Sequence, residues 1–306
     1  MTQQEHPGRR PVLLVLVGIG SVQLGAAFSK QLFDVLDPTA MVWLRLLTSA
    51  VILLVLTRPR VAGRSREDWL VVLAFGAALA LMNWSIYQSF ARMPLGLAVT
   101  IEFLGPLTVA VLGSRRWLDA GWAFLAGFGV ALLGLRGEGL TTGGVAFALL
   151  AAASWAAYIP LSAATGRRWP GLSGLAIASV VGTVALAPFA VAIGGSTLLE
   201  PRVLAVGLLV GLLSSVIPYS CELVALRTIP PRVFGILMSL EPAAAALAGM
   251  IVLHELLTPV EWLAIACVVA ASVGVTRRGP PGPAPPGLVG RRPRRARSRT
   301  SSPPAA

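Results

Sequence analysis

Long apolar stretches follow one another along almost the whole chain, and short polar connections separate them. A helix that crosses a bilayer needs roughly 20 mostly apolar residues. Most of these stretches lack the polar face that helices of soluble proteins carry. The pattern predicts an all-α integral membrane protein with ten transmembrane helices. The predicted spans are 12–32, 39–57, 69–90, 95–113, 118–135, 143–163, 172–193, 203–226, 233–253 and 260–276.

The two halves of this pattern match each other. Pro94 and Pro106 are spaced like Pro230 and Pro242, and an offset of 136 residues relates the two pairs. Each half holds five predicted spans, and an odd number makes the second half enter the membrane from the opposite side. We therefore predict two inverted five-helix repeats. The predicted domains are residues 1–136 with a short cytoplasmic N-terminal arm, residues 137–276, and a disordered Arg/Pro-rich cytoplasmic tail, 277–306.

The basic residues outside the spans predict the orientation. If the N-terminus is cytoplasmic, 20 of these 24 residues fall on the cytoplasmic side. This asymmetry follows the positive-inside rule, so both termini are predicted to be cytoplasmic. Eight arginines lie in the tail, which is expected to attract anionic lipids. Because the tail supplies most of the net charge of +12, we predict no nucleic-acid partner.

Three charged residues lie inside predicted spans, namely Arg45, Glu102 and Glu241. Each costs roughly 2.5–3.5 kcal/mol at a helix centre, so it is expected to face a wet cavity or a partner. They are candidates for binding substrate or protons, and the alternative is a buried ion pair that fixes helix packing. Glu222 is a further candidate, although its place near the end of a span also allows it to reach the membrane interface.

Prolines and polar residues add further candidates. Pro106 and Pro242 each remove a backbone N–H within a span and are predicted to break a helix. Asn83, Trp84, Tyr87 and Tyr219 come from corresponding spans of the two halves and are predicted to line a polar pocket. Trp84 and Tyr87 could instead belong to an aromatic belt at the membrane interface.

Sequence features of enzymes are missing from the chain. It has no phosphate-binding glycine loop, no Ser–His–Asp grouping and no cluster of metal ligands. We predict that the protein is not an enzyme and uses no cofactor. Because it has no ATPase module, any transport is expected to be driven by ion gradients.

Several of these segments resemble the drug/metabolite transporter superfamily, in its ten-span EamA-type branch. The resemblance is carried by Pro94–Leu107, Ser114–Arg116, Pro218–Leu226 and Phe234–Ala243, together with shorter matches at Gln23, Lys30, Leu44–Leu46, Gly249–Met250, Glu255 and Leu257–Pro259. It covers nearly all of residues 12–276 and is most similar to the bacterial threonine and homoserine exporters. The group is expected to carry tyrosine where this chain has Trp84. The resemblance implies a central cavity lined by both halves and proton-driven export.

Residues and resemblance together predict an inner-membrane secondary exporter of small neutral amino acids similar to threonine and homoserine. Its expected partners are the amino acid, protons and anionic lipids. Two alternatives stay open. The same scaffold could export another small metabolite or drug, or the protein could be a membrane sensor or scaffold that transports nothing.

Overall fold

The structure is a computed structural model that describes residues 9–113, 117–136, 140–225 and 229–278. Helices joined by short turns make up this part of the chain. Within these helices, the structure describes the backbone but not the side chains of residues 9, 117–119, 134–136, 219, 222, 223, 231, 232 and 278. Most of the tail predicted for 277–306 also lies outside the described residues.

Thirteen α-helices are described, and two short irregular turns interrupt the region between the eighth and the tenth. The first half contains α1 (Arg9–Gln31), α2 (Pro38–Thr57), α3 (Arg66–Phe90), α4 (Leu95–Glu102), α5 (Leu104–Leu112) and α6 (Trp117–Arg136). The second half contains α7 (Thr142–Arg168), α8 (Ser173–Gly194), a 3₁₀ turn (Gly195–Leu199), α9 (Pro201–Gly211), a π-helical turn (Leu212–Val216), α10 (Ile217–Ala225), α11 (Pro231–Met238), α12 (Glu241–Leu253) and α13 (Pro259–Arg278).

Local sequence explains where several helices begin. Ser65 and Asp68 form a capping box at the start of α3, in which each side chain accepts a hydrogen bond from the other residue's backbone N–H at 3.1 Å. Asp37 caps α2 by accepting a hydrogen bond from the backbone N–H of Thr39. These caps place polar residues in the turns and leave the apolar stretches uninterrupted inside the helices.

Eight helical stretches among the described residues are long and apolar enough to cross a membrane. They coincide with eight of the ten predicted spans. The fifth predicted span, 118–135, contains the shorter apolar helix Ala120–Leu133, and the eighth, 203–226, overlaps the shorter apolar helix Pro201–Val216. Large apolar side chains are exposed on the outside of the helices, among them Leu56, Phe124 and Phe189. Lipid contact accounts for this exposure, since no aqueous surface favours so many apolar groups.

The helices pack in an order that interleaves the two halves. Helix α3 packs along α7 and α8, and α2 packs against α8 and α9. Helix α1 packs against α10 and α12, α4 and α5 against α7, α4 against α12, and α6 against α13. The main hydrophobic core therefore contains buried residues of both halves, including Leu79, Leu97 and Ala248.

Contacts between turns define the two ends of the bundle. At one end, here called the Lys30 end, Lys30 contacts the turn before α4 and the turn after α12. At the other end, here called the Arg168 end, Arg168 lies 3.4 Å from Asp68 at the start of α3. Arg64 donates a hydrogen bond of 2.7 Å to the carbonyl of Arg168.

Candidate functional site

A cavity of about 570 Å³ lies among the helices, and both halves of the chain line it. Its walls come from α1 to α5, α7, the π-helical turn and α10 to α13. At the Arg168 end the lining reaches Ala110 and Thr276, close to the ends of α5 and α13. At the Lys30 end it reaches Phe90, the last residue of α3. The size is in the range of pockets that hold small molecules.

The three charges predicted inside the spans all line this cavity. Arg45 comes from α2, Glu102 is the last residue of α4, and Glu241 is the first residue of α12. Both carboxylate residues are 8% exposed. The packing thus brings one cation and two carboxylates to the wall of a single space, where they can interact with a charged or zwitterionic molecule.

Both carboxylates lie beside breaks in their helices. The regular helix is interrupted at Phe103, between α4 and α5, and at 239–240, between α11 and α12. The backbone N–H groups of Phe103 and Ser239 still donate to the carbonyls four residues earlier. Pro106 lacks the N–H that would bond to the carbonyl of Glu102, and Pro242 likewise leaves the carbonyl of Met238 without that partner. The two prolines are thus placed where they open the backbone, and Pro106 also lines the cavity.

Arg45 is held by two neutral oxygen atoms. It donates hydrogen bonds to the Tyr87 hydroxyl at 3.4 Å and to the Ser214 carbonyl at 3.2 Å. That carbonyl is available because Pro218, four residues later, has no N–H to reach it. The Tyr87 hydroxyl also lies 3.2 Å from the hydroxyl of Ser29, and Tyr87 is fully buried from the outer surface.

The other predicted site residues have different positions. Asn83 lines the cavity, and its amide donates a hydrogen bond to the carbonyl of Leu79 at 2.8 Å. Trp84 lies apart from the cavity, where its indole N–H donates to the Thr39 hydroxyl at 3.2 Å and its ring packs edge-on against Phe147. The side chains of Tyr219 and Glu222 lie outside the described part of the chain.

Comparison with known proteins places this membrane protein in a family. Residues 142–277 match the EamA-like transporter family. The threonine/homoserine exporter RhtA of Escherichia coli (strain K12) is 39% identical over 269 residues, which are 87% of this chain and 91% of that protein. The chain belongs to the EamA-like transporter family. It is therefore a multi-pass membrane transporter, and its resemblance to the EamA-type branch is confirmed.

Other relatives of this EamA-like transporter agree. RhtA of Salmonella typhimurium (strain SL1344) is 38% identical over 87% of this chain and 91% of its own length. An uncharacterized transporter of Bacillus subtilis (strain 168), YwfM, is 28% identical over 65% of this chain and 71% of its own. A solved crystal structure with 16% identity has a TM-score of 0.57 and covers 87% of this chain and 98% of that one, which shows a shared fold alone.

Several lining residues of this EamA-like transporter were not among the predicted site residues. The polar and aromatic ones are Gln23, Phe90, Phe103, Trp155, Tyr158, Phe234, Ser214, Ser272 and Thr276. The offset of 136 residues could have found other lining residues, because it relates the predicted Glu102 to Met238 and the predicted Glu222 to Ile86, and Met238 and Ile86 both line the cavity. Hydroxyl residues such as Ser272 are too common in membrane helices to be singled out from the sequence.

Proposed function

We propose that this EamA-like transporter is a proton-driven exporter of small neutral amino acids, with threonine and homoserine as the first candidates. The observation that carries the proposal is the cavity, where Arg45, Glu102 and Glu241 line one space of about 570 Å³. A neutral amino acid is a zwitterion, so its two charges need one cation and one anion from the wall. The RhtA relatives, named for threonine and homoserine export, support this substrate class.

We further propose ten membrane spans arranged as two inverted repeats, residues 1–136 and 137–276. The packing supports this arrangement because exchanging the halves reproduces it. Helix α3 packs along α7, and the corresponding helices of the other half, α10 and α1, pack along each other in the same way. Helix α2 packs against α8, its counterpart in the second half, and α6 packs against its counterpart α13. The matched helix breaks near Pro106 and Pro242 support it as well. Under this arrangement the two broken spans, α4–α5 and α11–α12, both line the cavity, and α4 packs against α12.

The proposed orientation puts both termini in the cytoplasm of a cell with an inner membrane. The Arg168 end is then cytoplasmic, and the Lys30 end faces outward. The distribution of basic residues supports this choice, since the turn after α2 contains Arg58, Arg60 and Arg64, and α7 ends with Arg167 and Arg168 at the same end. Anionic lipids are proposed to lie near that end and near the arginine-rich tail.

Protons are proposed to couple through Glu102, with Glu241 as the second carboxylate of the site. A carboxyl group that faces a cavity can exchange its proton with water on one side and interact with the substrate ammonium when ionised. Asn83 and Tyr87 are proposed to form the neighbouring wall. The 136-residue offset relates Tyr219 to Asn83 and Glu222 to Ile86, both of which line the cavity, so Tyr219 and Glu222 are kept as candidates. We assign Trp84 to the packing behind this wall.

Reconstituted vesicles test the function directly. Purified protein is placed in proteoliposomes preloaded with unlabelled amino acid, and exchange of labelled threonine, homoserine and a panel of other metabolites is measured. We expect saturable exchange of threonine and homoserine, and accumulation when a proton gradient is imposed in the direction of antiport. A protonophore should abolish accumulation and leave exchange intact. Exchange of another metabolite class without any amino acid exchange would refute the proposed substrate.

A further inference from the structure

Arg45 has an unusual set of partners for a cation inside a membrane bundle. Its guanidinium group donates to a tyrosine hydroxyl and to a backbone carbonyl, and no salt bridge found among the described residues includes it. It lies over the ring of Tyr87, with the guanidinium carbon 5.6 Å from the ring centre. The charge is therefore positioned by neutral groups, and it faces the cavity.

A guanidinium group has five N–H donors in a planar fork. Two of them are engaged by Tyr87 and Ser214, so donors are left for a molecule in the cavity. Arginine binds carboxylates through two parallel hydrogen bonds, which lysine cannot do. Arg45 interacts electrostatically with Glu102, but no salt bridge joins the two among the described residues. A carboxylate brought by the substrate would give the guanidinium group a direct negative partner and offset the cost of a cation in this position.

From this geometry we infer that Arg45 binds the α-carboxylate of the transported amino acid and makes a free carboxylate a requirement for transport. Glu102 and Glu241 are assigned to the substrate ammonium group. Tyr87 and the Ser214 carbonyl act as positioning groups that hold the guanidinium fork toward the cavity. This inference rests on the proposed function, because it assigns the substrate group that one residue of the site recognises.

Competition experiments test this assignment in proteoliposomes that exchange labelled threonine. Unlabelled threonine and homoserine should compete in the wild-type protein. Threonine methyl ester and 1-amino-2-propanol, which lack the free carboxylate, should compete at least tenfold less well. In Arg45→Gln we expect the half-saturating threonine concentration to rise about 10- to 100-fold and the preference for a free carboxylate to disappear. Arg45→Lys should recover part of the affinity.

Arg202→Gln is the matched control, since Arg202 is exposed at the Lys30 end, and it should leave both measurements unchanged. Competition by the methyl ester equal to that by threonine in the wild-type protein would refute the inference even if Arg45→Gln failed to fold. Unchanged affinity and preference in Arg45→Gln would refute it as well while leaving the proposed function intact. A wild-type protein that exchanges no amino acid would refute the proposed function and this inference together.

A different set of contacts closes the Lys30 end. Lys30 lies 2.5 Å from one carboxylate oxygen of Glu255 and donates a hydrogen bond of 2.7 Å to the carbonyl of Met93. The other oxygen of Glu255 accepts a hydrogen bond of 2.8 Å from the backbone N–H of Leu95. These contacts, here called the Lys30 latch, join the end of α1, the start of α4 and the turn after α12.

The helices beneath the latch are packed without space between them. Leu95 and Leu97 at the start of α4 are fully buried. Gly96 lies so close to Ala246 that a Cβ atom on the glycine would be 2.7 Å from the Ala246 Cα atom. Along α4, this packed layer lies between the latch and Val99, which lines the cavity. The latch therefore holds together the helices that would have to move apart to open that end.

The opposite end cannot form the same contacts at the corresponding positions. The offset of 136 residues relates Lys30 to Gly166 and Leu95 to Pro231. Glycine has no side chain to form an ion pair, and proline has no N–H to donate. The latch is therefore specific to one end, although the helices around it belong to matching halves.

We propose that the Lys30 latch is the gate on the release side of the transporter and breaks each time the cavity opens toward the Lys30 end. Its ion pair stabilises the conformation described by the structure, with that end closed. Breaking the ion pair should shift the population toward the conformation open at the Lys30 end, because the proposed gate forms these contacts in the closed conformation alone.

Thiol labelling measures this population. Val99→Cys places a thiol on the cavity wall in a background with Cys221→Ala and Cys267→Ala, and a membrane-impermeant maleimide is added on the side of the Lys30 end. We expect Lys30→Gln and Glu255→Gln each to raise the labelling rate roughly fivefold or more. The exchanged pair Lys30→Glu/Glu255→Lys should bring the rate back toward that of the parent.

Glu67→Gln is the control, because it removes an exposed carboxylate 3.6 Å from Arg168 at the opposite end. It should leave labelling from the Lys30 side unchanged. Equal labelling rates in the parent, Lys30→Gln and Glu255→Gln would refute the gate. A variant that fails to insert is replaced by Lys30→Arg, which keeps the charge and should label at a rate between those of the parent and Glu255→Gln. A Lys30→Arg rate equal to the Glu255→Gln rate would also refute it.

Discussion

Glu102 lies at the C-terminal end of a helix, whereas Glu241 lies at the N-terminal end of one. Glu102 ends α4, next to the backbone that Pro106 leaves open, whereas Glu241 begins α12. A helix N-terminus attracts negative charge through its free N–H groups, and a C-terminus lacks such donors. The two carboxylates therefore differ in surroundings although both line the cavity, and this difference favours separate roles in transport.

The residue-scale prediction concerns the proton. We expect Glu102→Gln to insert normally, because the substitution keeps the side-chain shape and removes a charge from the membrane. Accumulation of threonine under a proton gradient should fall roughly fivefold or more, since the coupling group is lost. Exchange without a gradient should persist. Both rates are measured in the same proteoliposomes at several external pH values.

Glu67→Gln serves as the comparison for Glu102→Gln, since it removes a carboxylate that is 80% exposed. It should leave accumulation and exchange at parental levels. If Glu102→Gln accumulated threonine at the parental rate with the same pH dependence, Glu102 would be a packing residue, and coupling would have to be assigned to another group.

Sequence reasoning located the charged residues better than the rest of the cavity wall. Arg45, Glu102 and Glu241 stand out because charge within an apolar span is costly, and they indeed line the cavity. The same reasoning grouped Trp84 with Tyr87, but only Tyr87 faces the cavity. Hydropathy gives the depth of a residue in the membrane and not the side of the helix on which it lies. That side is set by packing against neighbouring helices, which a single sequence does not specify.

At the scale of helices, the contact between α4 and α12 depends on small residues. Gly96 and Ala246 approach each other closely, and a Cβ atom on Gly96 would meet the backbone of α12. Close approach of this kind strengthens the van der Waals attraction between the two helices. This attraction matters in a membrane because lipid tails are apolar, so the hydrophobic effect does not drive helices together there. The packed layer beneath the Lys30 latch therefore requires glycine at position 96.

The element-scale prediction follows from this contact. Gly96→Ala should push α4 from α12 and lower stability by about 1–3 kcal/mol, the usual range for overpacking. Thermal unfolding in detergent measures the change. Gly127→Ala is the matched control, because no atom lies within 4 Å of a Cβ there, and it should be neutral or slightly stabilising. Equal stability of Gly96→Ala and the parent would show that α4 and α12 can separate at no cost.

The sequence predicted those helix irregularities that are caused by a residue within the same span. The breaks beside Pro106 and Pro242 follow from missing N–H groups, which the sequence displays directly. The π-helical turn Leu212–Val216 was not predicted, although Pro218 frees the carbonyl of Ser214 within it. The partner of that carbonyl is Arg45 on α2, and a contact between residues so distant in sequence appears only in the folded chain.

At the scale of the whole molecule, the cavity and the packed layer at the Lys30 end lie within the helices that end at Arg278. We therefore predict that deleting residues 279–306 leaves threonine exchange within about twofold of the full chain in vesicles without anionic lipid. In vesicles with anionic lipid, the full chain should show the greater binding of lipid, because the deletion removes six arginines. Normal insertion combined with lost exchange would instead assign the tail a direct role in transport.

The inverted repeat makes a prediction about two related turns. The offset of 136 residues relates the turn 58–65 to the turn 195–200, so inversion requires them to lie on opposite faces of the membrane. Ala62→Cys and Ser196→Cys are exposed positions in these turns, and each is made in the background without Cys221 and Cys267. In intact cells, an impermeant maleimide should label Ser196→Cys and reach Ala62→Cys only after the membrane is permeabilised. Pro170→Cys, at the Arg168 end, should behave like Ala62→Cys.

Labelling of Ala62→Cys and Ser196→Cys from the same side would show that the halves run parallel, because only a parallel repeat places both turns on one face. Labelling of Ala62→Cys alone in intact cells would keep the inversion and reverse the proposed orientation.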